Sequence, residues 1–147
     1  MCLRLVGSEM CIRDSVIAML SFSNFGSSSH PMANKVENAV KFLRRSHPNM
    51  IVDGPVQSDF ALNKLMLTNK FEESKLGNQK VNILVFPNLD SANITYKVIK
   101  EIDGAKSIGP IIMGLDKAVH ILQLKPSVEE IVNMSAIAVI DAQSRNE

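Results

Sequence analysis

Three short, nearly continuous apolar runs, VIAMLSF (16–22), MIVDGP (50–55) and VNILVFP (81–87), alternate with segments whose apolar residues recur at helical spacing. An apolar run of this length suits a strand covered on both faces, and helical segments between such runs serve as crossover connections. The alternation predicts an α/β chain with three layers and a mostly parallel sheet. Ligands bind beyond the carboxyl ends of the strands in such sheets. The loops after Phe22, Phe86 and Met113 are therefore expected to converge on one crevice.

The helical segments carry their own punctuation. Pro31 fits the first position of a helix, with His30 or Ser29 as its cap, and Met32, Val36, Val40 and Leu43 share one face. HPNM (47–50) ends it. QSDFALNKLMLTNKF (57–71) predicts a further helix that buries Phe60, Leu62, Leu65 and Met66, followed by a polar connection, EESKLGNQK. NLDSANITYKVIKEIDG (88–104) predicts another, capped by Asp90 or Ser91. Ala92, Tyr96, Ile99 and Ile102 lie along its apolar side, and Gly104 closes it. SIGPIIMGL and AVHILQL read as short extended pieces. A last helix begins near Ser127, with Glu130 three residues on in a capping-box arrangement. Its stretch Ile131 to Ile140 is apolar almost all round, so it is expected to be buried.

Residues 1–15, MCLRLVGSEMCIRDS, keep neither period and resemble translated sequencing-adapter sequence; they are expected to stand outside the fold, which occupies 16–147. Glu9, Arg13 and Asp14 interrupt any signal-peptide core. Without this stretch the net charge stays at +1 and neither Cys2 nor Cys11 remains, so disulfides, thiolate metal sites and a cysteine nucleophile are excluded from the rest. A near-neutral chain lacks the clustered basic surface that nucleic acid or an anionic membrane demands, and Arg44-Arg45 suits the end of a helix. No apolar run approaches the roughly 18 residues of a membrane span. A cytoplasmic setting is expected.

Few residues offer chemistry. Ser23, Asn24, Gly26, Ser27 and Ser28 join a strand to a helix start and can present hydroxyls and N–H groups to a phosphate, although they match no nucleotide fingerprint. An ordinary polar connection explains the same composition. Asn93 falls near the same end of the predicted sheet, where a cap or a crevice residue is equally at home. His30, His47 and His120 share no metal-ligand spacing, and no metal site is expected.

Five blocks, AMLSFSNFGSSSHP, VDGPVQSDFAL, LVFPNLDSANITYKVIK, IGPIIMGLDKAV and SVEEIVNMSAIAVIDAQ, occur in this order and at suitable spacing. Together they resemble the C-terminal half of a phosphate acetyl/butyryltransferase domain, over essentially all of Val16 to Gln143. The resemblance implies an isocitrate/isopropylmalate-dehydrogenase-like α/β fold, here incomplete, with a cleft between two subdomains. Active members carry KPVNDLSRGCSVxD where this chain has KAVHILQLKPSVEE (117–130). The family's serine and phosphate-holding arginine thus fall on Gln123 and Leu124, and its aspartate, the base for the coenzyme A thiol, on Glu130. Lys117, Ser127 and Val128 are retained. Pro55 replaces a residue that is usually acidic. Leucine cannot give a phosphoryl group the bidentate, charge-assisted contact of arginine. Glu130 is thus the one catalytic candidate, with capping as its competing role.

The HIL after Lys117 and the final helix resemble the phosphotransacetylase-like domain fused to bacterial NADP-dependent malic enzymes. That resemblance implies a non-catalytic module that senses acetyl-CoA and assists homo-oligomer assembly; the crevice formed by Ser23, Asn24, Gly26, Ser27 and Ser28 with Asn93 and Lys117 is expected to bind it. The module needs no cofactor of its own, whereas its parent uses NADP and a divalent metal. The alternatives are part of an active acetyltransferase that makes acetyl-CoA from acetyl phosphate, and a structural, oligomer-forming piece with no retained ligand site.

Overall fold

The computed structural model describes residues 15–77, 79–104 and 107–144. The elements among them are β1 (Val16–Leu20), α1 (Pro31–Ser46), β2 (Ile51–Val56), α2 (Ser58–Leu62), α3 (Lys64–Lys70), β3 (Ile83–Val85), α4 (Leu89–Asp103) and α5 (Val128–Ser144). The strands form a parallel sheet in the order β2–β1–β3, as apolar runs joined by helical crossovers predict. The described residues fall into two compact units, 15–97 and 98–144. What was expected of Met1 to Ser15 lies outside the described residues, apart from Ser15, which is buried at the start of β1.

In the first unit the strand period of two divides β1 between two cores. Val16, Ala18 and Leu20 meet Val56, Phe60, Ala61, Leu67 and Leu76 on one face. On the other, Met19 packs with Val52 of β2 and with Val36 and Val40 of α1. Each fully buried side chain of this size contributes roughly 1.5–3 kcal/mol, so the two clusters dominate the stability of this unit. Leu76 is wholly buried although its surroundings, EESKLGNQK, read as a polar connection.

A charged group locks the layers together. The Asp53 carboxylate, 4% exposed, accepts from the Gly54 N–H (2.8 Å) and pairs with the Arg44 guanidinium (2.5 Å) through Oδ1. Its Oδ2 accepts from the Ser74 hydroxyl (3.1 Å) and the Lys75 N–H (2.8 Å). One side chain of β2 thereby holds α1 and the connection after α3. Gly54, at φ +140°, is needed here because a Cβ would collide with the Met19 carbonyl oxygen.

Several expectations are corrected. The 57–71 segment is two short helices, because Asn63 leaves helical geometry and caps α3 by accepting from the Met66 N–H (3.1 Å). The break turns Leu62, Leu65 and Met66 outward and buries Ala61 and Leu67 beside Phe60. On α1, Ala33 is buried with Val36 and Val40 while Met32 is exposed. Asn88 caps α4, accepting from the Ser91 N–H (2.8 Å), so neither Asp90 nor Ser91 has that role. Ile99 and Ile102 are exposed, as are Ile131, Val132, Val139 and Ile140 of α5. Among the described residues the second unit contains α5, the end of α4 and irregular chain, and these leave much of the apolar surface of α5 uncovered. SIGPIIMGL and AVHILQL form no strand among the described residues.

What α5 does bury is polar at one point. His120 Nε2 stands 3.4 Å from Asp141 Oδ2, with side chains 2% and 4% exposed, and neither ring nitrogen makes a hydrogen bond, so the end of α5 packs a buried polar pair against the 107–126 segment. Among the described residues no helix is long and apolar enough to cross a membrane.

Candidate functional site

The Ser/Gly loop emerges from β1 and enters α1, as its sequence requires. The helix end is already closed: His30 Nδ1 accepts from the Met32 N–H (3.2 Å), and the His30 carbonyl accepts from the Ala33 and Asn34 N–H groups. Pro31 contributes no donor. The serines are used locally too. Ser23 and Ser27 hydroxyls lie 3.0 Å apart, Ser27 Oγ accepts from the Asn24 N–H (3.0 Å), and Ser28 Oγ accepts from the His30 N–H (3.2 Å). The hydroxyls therefore help build the loop, while the Ser28 hydroxyl, which accepts from His30, keeps its own proton to donate beside the backbone N–H groups of Gly26, Ser28 and Ser29, for which no hydrogen bond is found among the described residues. Phe22, half exposed, meets the His30 ring edge-on at 5.7 Å beside them.

The loop is held by the residue that follows β2. Gln57 donates its N–H to Asn24 Oδ1 (2.7 Å), accepts from Asn24 Nδ2 at Oε1 (2.8 Å), and donates from Nε2 to the Phe22 carbonyl (2.6 Å). Sequence reasoning missed Gln57, whose only signal is a polar residue directly after an apolar run. Asn93 is exposed on α4 in the same unit, and Lys117 is exposed in the irregular chain of the second. Of the candidates, the structure thus joins Ser23, Asn24 and Ser27 in one hydrogen-bonded group.

In the second unit the capping box forms as its spacing requires. Ser127 Oγ accepts from the Glu130 N–H (3.2 Å) and Glu130 Oε2 accepts from the Ser127 N–H (2.7 Å). Glu130 Oε1 also pairs with Lys100 Nζ at 3.2 Å. The Ser127 backbone N–H, followed by the Lys100 ammonium, holds the Glu130 carboxyl below the ordinary glutamate value. A carboxylate stabilised in its charged form is a weak proton acceptor. Two adjoining recesses share Lys100, Ser107 and Glu130. The smaller, about 90 Å³, is lined by Gln123, Leu124 and Lys125. The larger, about 370 Å³, is lined by Ser127, Glu129 and Asn133. Leu124 is 99% exposed, so it forms a rim with no polar group to offer. Lys125 adopts φ +57°, a conformation that favours glycine, and the motif this segment resembles has glycine there.

Residues 6–139 match the family model of the phosphate acetyl/butaryl transferases. The chain is 38% identical to the phosphate acetyltransferase of Clostridium acetobutylicum over 135 residues, 92% of this chain and 40% of that protein. It is also 38% identical to the NADP-dependent malic enzyme of Escherichia coli over 130 residues, 88% of this chain and 17% of that protein. A crystal structure of a phosphotransacetylase from Streptococcus pyogenes superposes with a TM-score of 0.80 at 35% identity, covering 91% of this chain and 40% of that one. The chain therefore spans well under half the length of these relatives, and its likeness is divided evenly between two kinds of enzyme. By sequence and by fold, it belongs to the phosphate acetyl/butaryl transferase family.

Proposed function

We propose that this chain is the C-terminal half of a phosphotransacetylase-like domain in an NADP-dependent malic enzyme, and that it binds acetyl-CoA without transferring the acetyl group. The observation that carries this reading is the state of Glu130: both carboxylate oxygens are engaged, by the Ser127 N–H and by Lys100. Beside it, Leu124 stands where the family resemblance places the phosphate-holding arginine. A domain so altered retains binding more readily than turnover, because holding an anion needs donors and positive charge but no proton acceptor.

The donors are the N–H groups of the β1–α1 loop, and Lys117 supplies a mobile cation suited to phosphate. Asn93 is assigned to the same site. The finer fold follows the same reading: an isocitrate/isopropylmalate-dehydrogenase-like domain in three layers, completed by an N-terminal half. NADP and a divalent metal would be held by the parent's other domains. Among the described residues no group of three or more histidine, cysteine, aspartate or glutamate side chains is placed to hold a metal ion. The parent is assigned to the cytoplasm, as a homo-oligomer assembled through this domain.

Regulation requires acetyl-CoA to bind one state of the parent more tightly than another. Calorimetric titration of the full-length protein with acetyl-CoA tests the reading, with Lys117→Glu as the variant. Weaker binding together with a weaker effect on malate turnover is expected. Unchanged affinity removes Lys117 from the site, and no binding by the unaltered protein overturns the sensing role. The second reading, an active acetyltransferase, draws on the equal identity to the Clostridium acetobutylicum enzyme. It requires transfer of the acetyl group from acetyl phosphate to the coenzyme A thiol with release of inorganic phosphate, which a thiol assay detects as loss of free thiol.

A further inference from the structure

We infer that Gln57 is a positioning residue for ligand binding at the β1–α1 loop, an inference that rests on the acyl-CoA reading above. Gln57 occupies the N-cap position of α2, yet its side chain makes no capping bond there. The amide reaches instead to the loop after β1: Oε1 accepts from Asn24 Nδ2 and Nε2 donates to the Phe22 carbonyl. With the Gln57 N–H to Asn24, the Phe25 N–H to the Pro55 carbonyl (2.7 Å) and the Ser21 N–H to the Val56 carbonyl (2.9 Å), segment 21–25 is stitched to segment 55–57.

The stitch lies directly before the place where direction matters. Phe25 and Gly26 take φ of +42° and +85°, so the chain turns sharply as it leaves Asn24. The aim of the Gly26, Ser28 and Ser29 N–H groups is set by where that turn begins. Holding donors in place before a ligand arrives lowers the cost of binding, because ordering is then complete. The chemistry asks for an amide in particular, since the site needs a donor toward Phe22 and an acceptor toward Asn24. A glutamate of the same size offers no donor to the Phe22 carbonyl and places negative charge against it.

The test compares acetyl-CoA affinity of the full-length protein with Gln57→Ala, Gln57→Glu, Asn24→Ala and the Gln57→Ala/Asn24→Ala double variant, alongside amide exchange of residues 26–29. Inorganic phosphate serves as a competing probe. Gln57→Ala is expected to weaken binding about tenfold and to speed exchange at 26–29, with thermal unfolding still cooperative and its midpoint lowered no more than in Asn24→Ala. Gln57→Glu should weaken it at least as much despite its near-identical shape. The double variant should be weaker than either single one by less than the sum of the two losses, because both single variants remove the Asn24–Gln57 side-chain bond and each removes one further bond of its own. Should Gln57→Ala fail to fold, Asn24→Ala carries the same comparison from the loop side. Unaltered affinity in both single variants, with the unaltered protein still binding, overturns the role of Gln57 and leaves the acyl-CoA reading intact. No binding by the unaltered protein overturns both.

Discussion

Lys100 on α4 holds Glu130 on α5: Nζ and Oε1 stand 3.2 Å apart, and the same carboxylate closes the capping box with Ser127. The residue that the sequence resemblance sets at the family's thiol-base position is thereby engaged in starting a helix. Both partners are more than one-third exposed, so the pair itself adds little to stability. Its consequence is chemical, because it keeps the carboxylate charged.

Acetyl transfer from acetyl phosphate to coenzyme A is expected to be absent in the full-length protein. Leu124→Arg alone should not create it, since Glu130 remains engaged. A coupled thiol assay decides the matter, and turnover of about 1 per second or more, the ordinary enzymatic range, would show an intact site.

Replacement of Ser127 by alanine removes the hydroxyl that accepts from the Glu130 N–H. A loss of about 1 kcal/mol is expected, read as a lower denaturation midpoint with reduced helix content. A change below experimental error would mean that α5 starts without this cap.

The Glu130 carboxyl is held below its ordinary value in the folded chain, so the unfolded chain takes up this proton first as pH falls. The stabilisation it brings is therefore present above the ordinary glutamate value and is lost as pH falls through the lowered folded value. Thermal midpoints recorded between about pH 6 and about pH 3 should show the advantage of the unaltered chain over Glu130→Gln shrinking toward the acid end. A constant difference across that range would remove the carboxylate from the account.

Asp53→Ala leaves the Arg44 guanidinium, the Gly54 and Lys75 N–H groups and the Ser74 hydroxyl without their acceptor. A loss of about 3 kcal/mol is expected in denaturant unfolding, as for breaking a buried charged pair. Gly54→Ala should be at least as severe, since both φ and the Met19 carbonyl oppose a Cβ. A shift under about 1 kcal/mol in either variant contradicts the locking role.

Lys125→Gly is expected to stabilise the second unit by about 0.5–1 kcal/mol, the relief of a left-handed lysine less the added freedom of glycine when unfolded. Destabilisation instead would show that the lysine side chain contributes more than its backbone costs.

The sequence alone determined what depends on neighbours along the chain. The three apolar runs became strands of a parallel sheet, Pro31 opened α1 under a His30 cap, and Ser127 with Glu130 opened α5. Each is set by a strand period or by a cap within three residues, so local spacing is sufficient. Tertiary structure decided what depends on partners far along the chain. Gln57 reaches back 33 residues to Asn24, Asp53 gathers Arg44 and Lys75, and Leu76 is buried from within a polar stretch. The exposed side of α5 was misjudged for the same reason: apolar residues state a demand for cover, but only packing shows whether this chain supplies it. Composition offers the serines of the β1–α1 loop as ligand donors, and the tertiary structure adds the bonds they make within it. Their hydroxyls bond within the loop because each lies within four residues of an acceptor or donor that the turn brings into reach.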